Sequence, residues 1–190
     1  MYIQTEKTPN PDAIKFLPGF NISPENPIYF KGKIECSNSS LALKLISIEN
    51  IEAVFFGYDF ITMTKSTESS WDLLKPDILV TIMDHFTSGL TAFDNIKKQQ
   101  IPKIDIEHLP EIEKQIIEII ENKVRPAVAM DGGDIMYVGF DNGIVTLRLQ
   151  GACSGCPSSN VTLKNGIESM LKHYIPEIIE VVAENEIKNI

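Results

Sequence analysis

The sequence predicts an α+β fold made of two small domains, each with helices packed on a mostly antiparallel sheet. Short alternating apolar runs occur around turns that contain Gly, Asn or Asp, and other segments repeat apolar residues at helical spacing. The polar residues 94–100 lack periodicity and separate two such sets of segments. The 190 residues therefore divide into domains at 1–95 and 108–190, joined by a linker at 96–107.

The first domain combines predicted strands with two predicted helices. The strands are expected at residues 13–17, 28–30, 51–56 and 60–64, the last two flanking a Gly-Tyr-Asp hairpin turn. Polar residues at 38–40 are suitable N-caps for a short helix, which Asn50 should end. A longer helix is expected from Asp72 to residue 88, with Pro76 in its first turn, where a missing N–H has no partner to lose.

The second domain is predicted to contain, in order, a helix, a hairpin, a second helix and a final strand. The first helix starts near Pro110, and Arg125-Pro126 should end or kink it. Its apolar stripe comprises Leu109, Ile112, Ile116, Ile119, Ile120 and Val124. A turn at 131–134 should lead into strands 135–140 and 144–150, helix 158–174 and strand 178–182. The second helix should bury Leu163, Ile167, Met170, Leu171 and Tyr174.

The composition argues against several partners and locations. A net charge of −9 and a pI near 4.8 argue against nucleic acid, because phosphate binding requires a basic patch. No apolar run approaches the roughly 20 residues of a membrane span, and residues 1–6 resemble neither a signal peptide nor an Arg-rich presequence. Three cysteines do not form a secreted disulfide framework. We therefore expect the cytoplasm, or the mitochondrial matrix if the chain is a processed form.

The candidate chemistry lies at Cys153 and Cys156, which form a C-x-x-C pair. Two soft sulfur donors on one turn suit zinc, an iron–sulfur cluster or a reversible disulfide, and the spacing does not choose among them. The pair follows a predicted strand and precedes a predicted helix, whose N-terminal N–H groups and dipole favour thiolate. A loop in this position should leave the sulfurs near the surface and any bound cluster labile.

The other candidate ligands have simpler interpretations. Cys36 stands apart from the pair and is expected to be a small buried hydrophobe. Residues 131–134 contain two aspartates, but hard carboxylates suit iron–sulfur clusters poorly, so the segment is interpreted as a turn beside the site. The histidines at 85, 108 and 173 lack ligand spacing and are expected to be structural or solvated.

Two strings in the second half carry a family resemblance. Residues 124–134 (VRPAVAMDGGD) and 151–159 (GACSGCPSS), separated by a hairpin, resemble the NifU C-terminal-like domain of Nfu iron–sulfur carriers over residues 108–184. Residues 3–11 (IQTEKTPNP) and 15–19 (KFLPG), with the segment from Trp71 to Gly89, resemble the N-terminal domain of two-domain Nfu proteins.

This resemblance implies a non-enzymatic scaffold or carrier. It implies that Cys153 and Cys156 hold a 4Fe-4S cluster shared between the subunits of a homodimer, with upstream assembly factors as donors and apo-proteins as recipients. A 2Fe-2S form stays open, and zinc is expected only as an adventitious occupant of the empty site.

Two rival functions use the same cysteines. A thiol–disulfide oxidoreductase also places a C-x-x-C between strand and helix, but here the aromatic residue before the first cysteine is missing and a hairpin replaces the βαβ unit. A structural zinc protein requires about four ligands per ion, so it would need the cysteine pairs of both subunits of a dimer, because the chain has no second pair.

Overall fold

A computed structural model describes residues 1–23, 27–94, 106–154 and 157–184, without the side chains of 157–163. The chain divides into two compact units, Met1–Gln99 and Gln100–Ile190. Both units combine helices with a sheet, so the α+β prediction is confirmed. Of the predicted linker at 96–107, residues 96–105 lie outside the described ranges. The described range 106–154 begins with a short 3-10 helix at Ile106–His108.

The first unit is built on an antiparallel sheet of five described strands in the order β1-β2-β5-β4-β3. The strands are β1 (Gln4–Lys7), β2 (Ala13–Leu17), β3 (Ile28–Phe30), β4 (Ile51–Phe56) and β5 (Ile61–Lys65). The predicted strands are confirmed, with the last one shifted by one residue. The edge strand β1 was not predicted, and its residues Gln4 and Lys7 pair with Leu17 and Ile14 of β2.

Helices α1 (Ser40–Ile46) and α2 (Trp71–Thr87) complete the first unit. The Ser39 side chain caps α1 by accepting a hydrogen bond from the Ala42 N–H, as the sequence predicted. Two details of the prediction were wrong. Helix α1 ends at Ile46, four residues before Asn50, and Pro76 lies beyond the first turn of α2.

The second unit begins with helix α3 (Glu111–Ile119), a π-helical turn at Ile120–Val124 and helix α4 (Arg125–Met130). The Arg125-Pro126 step therefore does not end the helical path, because the chain passes through the π turn and continues for six residues. The Pro126 nitrogen carries no N–H, and at the start of α4 that donor would have no partner within α4.

The sheet of the second unit has three described strands in the order β6-β7-β8, namely β6 (Gly133–Asp141), β7 (Ile144–Gly151) and β8 (Glu180–Ala183). Strands β6 and β7 form the predicted antiparallel hairpin, and β8 lies parallel to β7. Helix α5 (Pro157–Tyr174) connects β7 to β8. Gly133 and Asp134, predicted as turn residues, belong to β6, so the strand starts directly beside the candidate site.

The core of this unit lies between the sheet and its helices. Ile116, Ile120 and Val124 of the predicted stripe are buried, as are Ile167 and Leu171 of α5. Tyr174 is 50% exposed, so its predicted burial was wrong, and Leu163 is among the residues whose side chains are not described. Within the described ranges, no helix is long and apolar enough to cross a membrane.

Tyr137 connects strand β6 to helix α3, because its hydroxyl donates a hydrogen bond to the Glu113 carboxylate. Burial raises the pKa of Tyr137, and the neighbouring Glu113 raises it further, since both disfavour the phenolate. A raised folded-state pKa means that this contribution to stability is complete below the unfolded value of about 10 and is lost as pH rises through the folded value.

We therefore expect the free energy of unfolding to fall more steeply above about pH 10 in the native protein than in Tyr137→Phe. Chemical denaturation across that pH range measures the difference. Tyr2→Phe, at a position that is 83% exposed, is the control and should keep the native slope. A Tyr137→Phe protein with the native slope would contradict the interpretation.

Candidate functional site

The candidate site follows the last residue of β7. Gly151 ends the strand with a φ of 65°, a left-handed conformation that favours glycine, and turns the chain into residues 152–154. The Ser154 N–H donates to the Gly151 carbonyl at 3.0 Å, and the Ala152 N–H donates to the Gly132 carbonyl at 3.1 Å. These bonds close the turn and attach it to the segment that enters β6.

Cys153 lies in this turn with its side chain directed into the protein. It is 5% exposed and belongs to the apolar core cluster of the second unit. The prediction that the sulfurs lie near the surface is therefore wrong for the Cys153 thiol. Cys156, predicted as its partner, lies outside the described residues, so the pairing of the two sulfurs stays a prediction.

Helix α5 begins at Pro157, four positions after Cys153, and runs for 18 residues. The first N–H groups of a helix have no partner within it, and the dipole of the helix makes that end positive. A thiolate close to such an end is stabilised relative to the thiol. The chain thus follows the order that the sequence predicted, with a strand, a cysteine turn and a helix.

An ion pair between half-buried Arg125 and buried Asp134 supports the start of β6 beside this turn. Arg125 Nε donates to Asp134 Oδ1 at 2.7 Å and Nη2 donates to Oδ2 at 3.0 Å, while Nη1 donates to the Glu121 carboxylate. Burial lowers the pKa of Arg125, but its hydrogen bonds to the Asp134 and Glu121 carboxylates, together with their negative charges, outweigh that effect. The net direction is upward, so the guanidinium stays charged. Asp134 is 2% exposed. The prediction that it is architectural fits this contact.

Removing the arginine should destabilise the second unit strongly. Arg125→Met leaves the Asp134 carboxylate buried without its cation, and we expect a loss of about 3 kcal/mol in the free energy of unfolding. Arg148→Met is the matched control, because the Arg148–Glu184 pair is far more exposed, at 45% and 32%, and should cost at most about 1 kcal/mol. Equal losses in the two variants, measured by chemical denaturation, would show that burial of Asp134 is not the decisive factor.

The remaining candidate ligands lie in separate places. Cys36 is 2% exposed in the core of the first unit, its thiol donates to the Gly32 carbonyl at 3.3 Å, and burial raises its pKa, with Glu35 adding to the effect. His85 is buried and its Nε2 lies 2.8 Å from the Thr91 carbonyl oxygen, whereas His108 and His173 are exposed. Within the described ranges, no three His, Cys, Asp or Glu side chains form a group that could hold a metal.

Sequence reasoning did not find the role of Gly133. A Cβ built on this glycine would lie 2.6 Å from Cys153 Sγ, closer than a Cβ carbon approaches a non-bonded neighbour in proteins. The two residues are twenty positions apart, and only the β6–β7 pairing brings them together. The second glycine of the Asp-Gly-Gly-Asp string was a signal, but the local sequence does not show what fills the space beside it.

Comparison with known proteins identifies the family. Residues 3–89 match the family model described as "Scaffold protein Nfu/NifU N terminal", and residues 116–182 match "NifU-like domain". Over 191 residues the chain is 46% identical to a human protein named NFU1 iron-sulfur cluster scaffold homolog, mitochondrial, with 98% of this chain and 74% of the human protein covered. The chain belongs to the Nfu family. The resemblance inferred from the sequence is thereby confirmed.

Fly members of the Nfu family are similar as well. The proteins of the same name from Drosophila persimilis and Drosophila ananassae are 43% and 44% identical to this Nfu-family chain over 182 residues. Each alignment covers 94% of this chain but only 63% and 62% of the fly proteins. The chain thus spans less than two thirds of the length of these two relatives.

Solved structures show weaker similarity to this Nfu-family chain. A NifU-like protein from Saccharomyces cerevisiae, solved by solution NMR, gives a TM-score of 0.46 at 25% identity and covers 50% of this chain and 86% of its own. A Staphylococcus aureus protein solved by X-ray crystallography gives 0.39 at 19% identity, covering 43% of this chain and 99% of its own.

Proposed function

We propose that this chain is an iron–sulfur cluster scaffold and carrier. It binds a 4Fe-4S cluster between two subunits through Cys153 and Cys156 and passes the cluster to apo-proteins. Relatives named as iron–sulfur cluster scaffolds support the general role. The observation that carries the proposal is the Cys153 thiol in the turn that follows Gly151, beside Gly133 and between the sheet and the N-terminus of α5.

The donor chemistry of the site fits such a cargo. Iron–sulfur clusters are held by cysteine thiolates, and thiolate is the form that the start of α5 favours. Gly133 leaves room for the Cys153 sulfur, and the left-handed Gly151 turns the backbone closely around it. Zinc binds the same soft donors, so zinc can enter the site when no cluster is bound, and a purified preparation that contains zinc is compatible with the proposal. The thiolate donors suit 2Fe-2S and 4Fe-4S clusters alike, and the family resemblance favours 4Fe-4S.

The proposed mechanism is ligand exchange at iron. Thiolates of the recipient protein would replace the four carrier thiolates one at a time, two from each subunit, and the cluster leaves when the last is replaced. Each displaced cysteine is then free to take up a proton. Because Cys153 is nearly buried in the cluster-free chain, the turn at residues 152–154 must open or the side chain must rotate before its sulfur can bind iron. This mechanism assigns no acid, base or nucleophile towards an organic substrate, in keeping with a carrier and not an enzyme.

The partners follow from this mechanism. A carrier needs a donor that supplies the cluster and recipients that offer free cysteines, so we propose cluster-assembly factors and apo iron–sulfur proteins as partners. The human and fly relatives are named as mitochondrial, which supports the matrix over the cytoplasm as the location of this chain.

Anaerobic reconstitution with iron and sulfide tests the proposed function. We expect the full chain to acquire a broad visible absorption, with iron and sulfide bound in equal amounts, because cluster formation is the only one of the three chemistries that produces a chromophore here. A colourless protein that binds zinc tightly would support the structural zinc alternative. A colourless protein that catalyses dithiol–disulfide exchange would support the oxidoreductase, and either result would reject the carrier.

A further inference from the structure

Position 133 requires glycine because there is no room for a Cβ, and not because its backbone conformation excludes other residues. It opens strand β6 opposite Gly151, and it is not among the residues with positive φ, unlike its neighbour Gly132 at 81°. Its backbone would therefore accept alanine. The space would not, because a Cβ at this position would lie 2.6 Å from Cys153 Sγ, 2.7 Å from the Gln150 carbonyl oxygen and 3.2 Å from Cys153 Cβ.

Two of these three contacts involve the Cys153 side chain, and the third involves backbone of the β6–β7 ladder. Gln150 pairs with Asp134 in that ladder, and Asp134 is fixed in turn by Arg125. The carbonyl oxygen is thus held by the sheet, whereas a cysteine side chain can change rotamer. An added methyl group at Gly133 should therefore displace the thiol, which gives way most easily, and the Gln150 carbonyl oxygen at 2.7 Å must shift as well.

We propose that Gly133 is the positioning residue for the Cys153 ligand. By having no side chain, it forms a seat in which the Cys153 sulfur rests against strand β6. The proposal rests on the proposed function, because the position of a thiol matters to the extent that the thiol binds a cluster. It adds that the empty carrier holds this ligand retracted in the core, that loading draws it out of the seat, and that release of the cluster lets it return.

The seat has two chemical consequences. A thiol that is 5% exposed is shielded from oxidants and alkylating agents, which attack accessible thiolates, so the empty carrier keeps one ligand reduced between deliveries. The return of the sulfur to the core also competes with its bond to iron, which favours release of the cluster to a client. Loss of the seat should weaken both effects.

Alkylation of the cluster-free protein measures the first consequence. The background is Cys36→Ala/Cys156→Ala in the full chain, so that Cys153 is the single thiol, and the probe is iodoacetamide followed by mass spectrometry. We expect Gly133→Ala to raise the alkylation rate about tenfold, the factor that corresponds to about 1.4 kcal/mol. Gly139→Ala is the matched control in the same strand, since a Cβ there meets nothing within 4 Å, and it should keep the native rate. A native rate in folded Gly133→Ala would overturn the proposal.

A double-variant cycle tests the same contact if Gly133→Ala folds poorly. The midpoint of thermal unfolding is compared in the full chain, in Gly133→Ala, in Cys153→Ala and in the double variant. Removing the sulfur eliminates the closest contact, so Gly133→Ala should lower the midpoint less when residue 153 is alanine. Equal decreases in the two backgrounds would show that the sulfur does not contribute to the requirement for glycine, and would overturn the proposal.

Reconstitution separates this proposal from the proposed function. With Cys36 and Cys156 intact, Gly133→Ala should load a cluster whose visible circular dichroism differs from that of the native protein, because one ligand approaches iron from a different position. Native and Gly139→Ala spectra should coincide. If the native protein stays colourless while the alkylation rates differ as expected, the result would support the seat and reject the carrier function. A coloured Gly133→Ala protein with the native spectrum and the native alkylation rate would reject the seat and support the carrier function.

Discussion

Replacing Cys153 with alanine should abolish the visible absorption of the reconstituted protein, and Cys156→Ala should have the same effect. A shared 4Fe-4S cluster takes four thiolates, so each single variant removes two of the four ligands from the dimer. Loss of a residue that merely supports a metal ligand typically costs about 10- to 100-fold in affinity, and loss of half the ligands should cost far more. Iron and sulfide analysis after desalting measures the outcome.

Cys36→Ala is the matched control for these variants. Cys36 belongs to the first unit and not to the turn that follows β7, and its thiol donates a hydrogen bond to the Gly32 carbonyl within that unit. Iron per dimer should equal the native value. The ligand assignment would be wrong if Cys36→Ala removed the chromophore and Cys153→Ala retained it.

Local sequence signals predicted most of the fold. The hairpin of β6 and β7 was predicted because Val145, Leu147 and Leu149 alternate with polar residues, and the structure buries Val145 and Leu147. Strand β1 was missed because Gln4–Lys7 is polar and its pattern has no buried face. It is a strand because β2 pairs with it, which is a tertiary contact that the local sequence does not encode.

The errors in the helices have a similar origin. A proline well inside a helix costs about 3 kcal/mol in isolation, which is why Pro76 was predicted in a first turn. In the structure Leu74, Ile78 and Ile82 of the same helix are buried, and this burial offsets the cost. The helix likewise continues beyond Pro126. The ion pair of Arg125 with Asp134 stabilises α4 against the start of β6.

The candidate site was predictable to the extent that it is local in sequence. The C-x-x-C pair lies within nine residues whose glycines and flanking elements predict a reactive turn, and the family resemblance, not the spacing, assigned a cluster to it. The retracted position of Cys153 was not predictable, because it depends on the space left by Gly133 across a strand pairing. Burial of a sulfur is decided by residues that are near in space and distant in sequence.

Cluster binding should also convert the protein from monomer to dimer. The chain contains three cysteines, and only Cys153 and Cys156 lie in the proposed site. Cys36 belongs to the first unit, where its thiol is 2% exposed, so its recruitment as a third ligand would require that core to open. Two subunits related by a two-fold axis supply four thiolates directly, and such dimers are the commonest symmetric assembly.

The charge of the chain opposes association when no cluster is present. Each subunit carries a net charge of −9, so two empty subunits repel each other. A cluster that binds the pair and not the single subunit draws the equilibrium towards dimer by mass action. Light scattering under anaerobic conditions should give a mass near 21.3 kDa for the empty chain and twice that value after loading. Cys153→Ala should stay at the lower mass under the same treatment. A loaded, coloured species that scatters as a monomer would rule out the shared site, since one subunit would then hold the cluster with two cysteines of the turn and ligands from elsewhere.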